Sequence, residues 1–151
     1  MEHVKEASYL GDIVSSDGRN IKNIKARVSR GLNSINQIFI ILENTALGPH
    51  YFEVALLLRE ALLISTMIYN SEIWYGLTKK DVEELEAVDI MFHARLLKVP
   101  MTTPKEAFHL ELGTLPIRAM IKIRRLTYLK NLVDREKHQM FYRFFINQWK
   151  K

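Results

Sequence analysis

The chain has no cysteine among its 151 residues. That absence removes disulfide frameworks, thiol nucleophiles, Cys-containing zinc knuckles and iron–sulfur ligation together. Glycine and proline are scarce as well, at six and four, which suits helices better than a many-turned β-sandwich. No Gly-rich phosphate loop, GxSxG elbow or HExxH pair occurs, and His3, His50, His93, His109 and His138 show no paired metal spacing. Nothing assembles an active site, so neither an enzymatic activity nor a metal or cofactor is expected. The opening residues, MEHVKEASYLGD, hold no apolar core of signal-peptide length, and an intracellular setting, nucleus or cytoplasm, is the expectation.

What is present is enough for one ordinary domain with a real core. Hydrophobic residues make up 48% and charged residues 26%, outside the range of disordered chains. The formal charge is +5 with a pI near 9.5, which favours an anionic partner without naming it.

The stretch 50–77, HYFEVALLLREALLISTMIYNSEIWYGL, organises the rest. Helical winding leaves it almost no broad polar face, so it must be wrapped by other segments. Arg59 beside Glu60 in mid-run argues against a membrane span. The expected fold is mainly α: a helical bundle around this central apolar helix, with a short N-terminal β-strand or hairpin remnant.

Residues 7–14, ASYLGDIV, read as one strand ended by the turn signal Ser15-Ser16-Asp17-Gly18. A lone strand needs a partner, supplied either by His3 to Lys5 or by chain lying outside this piece. Beyond Gly18, Ile21, Ile24, Val28, Leu32, Ile35 and Phe39 predict an amphipathic helix over 19–42, with Asp17 or Asn20 as its cap. The opposite face carries Arg19, Lys22, Asn23, Arg27, Arg30, Asn33, Ser34 and Gln37, and no acid precedes Glu43. Such a one-signed face fits phosphate contact, although a plain solvated surface has the same look. Gly31 inside this helix marks close packing.

Gly48-Pro49 stop and restart the chain. Tyr69, Trp74 and Tyr75 crowd around Glu72, a junction where a neighbour should fix the carboxylate; no second acid or base stands at matched spacing for catalysis. Thr78 then caps a helix over 79–97, with acids in its first turns and Arg95 and Lys98 at its end. Thr103-Pro104 and Glu106 open a short helix closed by Gly113, and a last one runs over 116–133. On it Arg118, Lys122 and Arg125, four and three apart, form one stripe: either stems covering apolar surface or phosphate ligands. The tail 135–151 interleaves Met140, Phe141, Phe144, Phe145 and Trp149 with basic residues. This fits stacking on bases or an apolar docking face for another protein or a second copy.

Several fragments together resemble the region after the palm in reverse transcriptases of LINE-type (non-LTR) retrotransposons. They are Tyr9-Leu10-Gly11, Ser16-Asp17-Gly18 with its basic helix, and Ile68-Tyr69-Asn70-Ser71-Glu72-Ile73-Trp74. Leu110-Glu111-Leu112-Gly113-Thr114-Leu115-Pro116-Ile117 and Arg124-Arg125-Leu126-Thr127-Tyr128-Leu129 follow in the family's order. The resemblance implies that residues 1–18 are the last palm strand and turn and that 19–151 form a helical, thumb-like domain. It also implies that Arg19, Lys22, Arg27 and Arg30 grip a template–primer duplex or RNA–DNA hybrid. The paired-aspartate motif of the RNA-directed DNA polymerase and its fingers are absent from these residues, as is the Cys-rich knuckle of some members. Asn70 stands where the family more often has Gly. The resemblance therefore implies a non-catalytic part of such a polymerase, with palm and fingers in a parent protein. Self-association or docking through the aromatic tail is the alternative.

Overall fold

A computed structural model describes residues 6–9, 11–15, 20–74 and 76–134. It is mainly helical. Two strands, β1 (Glu6–Tyr9) and β2 (Asp12–Ser15), precede α1 (Ile21–Asn44). A single 3₁₀ turn, Gly48–His50, leads into α2 (Tyr51–Leu58), which runs without a break through a π-helical segment (Arg59–Ile64) into α3 (Ser65–Met67). Helices α4 (Lys79–Leu97), α5 (Lys105–Leu112) and α6 (Ile117–Asp134) complete it.

The single strand expected over 7–14 is corrected to an antiparallel hairpin, with Tyr9 opposite Asp12 and Glu6 opposite Ser15. Only two residues separate Tyr9 from Asp12, and Gly11 turns the chain at a φ of +83°, a region open to glycine at little steric cost. An unbroken β-like composition hid the turn, since Leu10-Gly11 is a weaker hairpin signal than Asn-Gly or Asp-Gly.

The core lies where α1 packs on one side against the rod formed by α2, the π segment and α3 and on another against α4. Ile24, Ile38, Leu63, Met67, Leu85, Phe92 and Ile117 are buried in it, and Phe39 meets Phe92 at a ring separation of 5.7 Å. The rod packs chiefly against α1, which also holds α4. Phe52 and Leu57 remain exposed, the latter at 63%. Among the described residues no helix is long and apolar enough to cross a membrane.

The boundaries follow from local chemistry. Thr78 and Asp81 form a reciprocal capping box at the start of α4. Lys98 and Gly113 end α4 and α5 in the left-handed region, where Gly113 is at ease and Lys98 is the exception. Gly31 packs so tightly that an added Cβ would lie 2.8 Å from Met67 Sδ and 3.1 Å from Val88 Cγ1.

Candidate nucleic-acid interface

The predicted face of α1 is rotated from where its apolar residues alone would place it. Asn23, Arg27 and Ser34 are buried, whereas Ile21 and Leu32 are exposed. Arg27 is therefore corrected: only 2% exposed, it is no phosphate ligand. Its guanidinium donates to Asp12 at 2.6 Å, to the Thr66 carbonyl at 2.8 Å and to the Gly11 carbonyl at 3.3 Å, and it lies near the rings of Tyr69 and Trp74. Asp12 also accepts from Asn23 Nδ2 at 3.0 Å, Asn70 Nδ2 at 2.9 Å and Trp74 Nε1 at 3.4 Å. Burial alone would raise its carboxyl; hydrogen bonds from Arg27, Asn70 and Asn23, with the Arg27 charge, outweigh it and hold Asp12 below its ordinary 3.8. The helix turns to satisfy this buried carboxylate, which leaves Lys22, Lys25, Arg30, Asn33 and Gln37 outside. Lys25 was not in the predicted set. Arg30 is exposed and donates to the Gly11 carbonyl at 3.3 Å. Arg19 lies outside the described residues, as does the aromatic tail 135–151.

Asn70 adopts a φ of +59°, a conformation natural to Gly and next most often to Asn, at the start of the turn that places Trp74. The α6 arginines close this turn. Arg124 donates to the Ile68 carbonyl at 3.1 Å, and Arg125 to those of Ser71 at 3.2 Å and Trp74 at 2.6 Å. These carbonyls follow the end of the rod, where backbone acceptors lack intrahelical donors. Arg125 is thus chiefly a cap for backbone oxygens. Glu72, expected to be fixed by a neighbour, has one buried carboxylate oxygen with no hydrogen-bond partner among the described residues.

Arg118 and Lys122 are exposed on α6. Together with Arg125 and Lys79 they line a concavity of about 270 Å³, to which Leu77, Thr78, Val82 and Ile121 also contribute. No acid is among its lining residues. Arg118 and Lys79 each reach an acid, Glu86 at 3.8 Å and Glu83 at 3.7 Å; the Lys79–Glu83 pair is exposed enough for water to weaken it, whereas Glu86 is largely buried. The amino end of α4 contributes Thr78, Lys79 and Val82 to the lining. The stripe read from the sequence is therefore brought together and extended by one lysine from another helix.

No family model, curated protein or solved structure matches the chain.

A second polar cluster escaped the sequence reading. Arg59, fully buried, makes a two-pronged contact with Asp89 at 2.8 Å and 2.8 Å and also pairs with Glu60. One turn on from Asp89 on α4 lies buried His93, and His109 reaches in from α5. Asp89, His93 and His109 offer ligand atoms all within 4.8 Å of one another, the one grouping able to hold a metal ion among the described residues. The sequence shows no paired metal spacing among the histidines, and packing rather than spacing makes this group. Asp89 and His93 are four apart, a usable signal; His109 is sixteen residues further on and only the α4–α5 packing brings it in. Burial pushes the His93 imidazole down to about 4, with Asp89 opposing and Arg59 adding to the fall. Burial likewise lowers His109, against the pull of Asp89. Both rings are neutral at neutral pH.

Proposed function

We propose that this chain is a non-catalytic helical part of a retroelement RNA-directed DNA polymerase and grips template–primer duplex or hybrid through two basic surfaces. The observation that carries the reading is the concavity with no acid in its lining, where Lys79, Arg118 and Lys122 converge beside the carbonyl-capping Arg125, a site suited to a phosphate oxygen approached by several cations. The outer side of α1, with Lys22, Lys25 and Arg30 exposed and no acid before Glu43, adds a second track. The helices that carry them both hold the 66–74 segment, α1 through buried Arg27 and α6 through Arg125. The left-handed Asn70, at a position where the resembled family more often has Gly, adds support of a different kind.

The test is fluorescence anisotropy of the whole chain with a labelled hybrid across a salt series. Each phosphate-contacting cation removed lowers the slope of log affinity against log salt by about one unit. Arg118→Ala with Lys122→Ala is expected to lower it by about two; an unchanged slope in a folded variant overturns the reading.

A second reading rests on the outer face of α6, where Ile123, Leu126 and Val133 share one exposed side, Leu126 at 66%. That face, with the tail that follows it, suits docking on another protein or a second copy. Sedimentation in which Leu126→Glu leaves the mass distribution unchanged removes this option.

A further inference from the structure

We propose that Asp89, His93 and His109 bind a divalent transition ion of the zinc class, tying α5 to α4. The donor set is one carboxylate and two imidazoles, hard and borderline ligands that suit zinc, with a fourth position for water. Three observations converge on it. The ligand atoms lie within 4.8 Å of one another, and tetrahedral coordination at zinc distances needs roughly 3.4 Å between donors, so small side-chain rotations close the site. The Thr114 hydroxyl lies 3.0 Å from His109 Nδ1 and 3.4 Å from His93 Nε2, holding these two nitrogens toward one point. His93 Nε2, the ring atom nearest the cluster, lies 3.9 Å from Asp89 Oδ1.

Charge and access are compatible with an ion. Arg59 faces two carboxylates, Asp89 and Glu60, so the cluster keeps one formal negative charge in excess before a cation enters. Arg59 holds both oxygens of Asp89, including the Oδ1 that faces His93, and so fixes the carboxylate's orientation as an outer partner does for a ligating carboxylate. His109 also forms part of the wall of a cleft of about 650 Å³ between α4, α5 and α6, along with Glu86 and Glu106. The ion and its water reach the site from there. Because α5 has only eight residues and buries little beyond Phe108, a metal bond from His109 would be its strongest tether.

The test is calorimetric titration of the full chain, stripped of metal, with Zn²⁺, beside hydrogen exchange of the α5 amides. One equivalent is expected to bind and to slow exchange in α5. His109→Gln, at a half-buried position that does not threaten folding, is expected to weaken binding by at least about tenfold and abolish the added protection. His50→Ala, at an exposed histidine, is expected to change neither. Should His93→Gln fail to fold, His109→Gln decides alone. The proposal is overturned by the absence of saturable uptake, by uptake unchanged in His109→Gln, or by uptake lost in His50→Ala.

Discussion

Two buried charged groups set the terms at the scale of single residues. Arg27 and Asp12 join α1 to the hairpin through a 2.6 Å contact in a nearly dry site, and removing one partner of such a pair leaves the other uncompensated. Arg27→Met is expected to cost about 3 kcal/mol in urea unfolding, while Asp12→Asn with Arg27→Met together costs less than the sum of the two single changes. His93 yields a pH dependence in metal-free protein. Its folded-state pKa, about 4, lies below the ordinary 6.5, so the unfolded chain binds the proton more readily between those values. Its contribution is fully present above pH 6.5 and fades as pH falls toward 4, to a total of roughly 3 kcal/mol. Asp89, Arg59 and His109 face the ring and shape that window. Urea midpoints in a chelator across pH 7 to 4 check it, and in His93→Gln the decline over this interval is expected to flatten. Asp12 acts lower on the scale: depressed below 3.8, it stabilises above that value and is lost as acid titrates it in place.

At the scale of the element, α1 shows how a helix is aimed by more than its apolar residues. Ile24, Ile35 and Phe39 were legible as core from spacing alone, and they are buried. Ile21 and Leu32 fit the same spacing and are exposed, because the helix rotates to bring Asn23 and Arg27 to a carboxylate that sits in the hairpin. Gly31 was legible as a close-packing site, and Met67 and Val88 are its neighbours. Gly31→Ala should gain about 1 kcal/mol in helix propensity, yet overpacking typically costs about 1–3 kcal/mol. We expect a net loss of stability on thermal melting, larger for Gly31→Val. The α4 boundaries were readable in full, since Thr78 and Asp81 make their contacts within four residues.

For the whole molecule, the basic surfaces of α1 and α6 sit on separate elements, linked through α4 and through the 66–74 turn. Their effects on nucleic-acid binding should therefore add. Lys25→Ala with Arg30→Ala and Arg118→Ala with Lys122→Ala are each expected to reduce the salt slope by about two units, and all four together by about four. Anisotropy titrations at several salt concentrations measure this, with unfolding midpoints to show that the variants remain folded. The concavity near the start of α4 illustrates what spacing reaches and what it misses. Arg118, Lys122 and Arg125 were joined by the helical period, whereas Lys79 joined them only because α4 and α6 pack together.

By itself the amino-acid sequence determined the mainly helical class, the apolar rod, the capped start of α4 and the α6 basic stripe. These depend on periodicity and on contacts a few residues long. Only tertiary structure decided that Arg27 is buried, that Arg125 caps carbonyls, and that His109 meets His93 and Asp89. In each of those cases the partner is distant in the chain, and a buried charge or imidazole takes its role from whichever distant group desolvates or neutralises it.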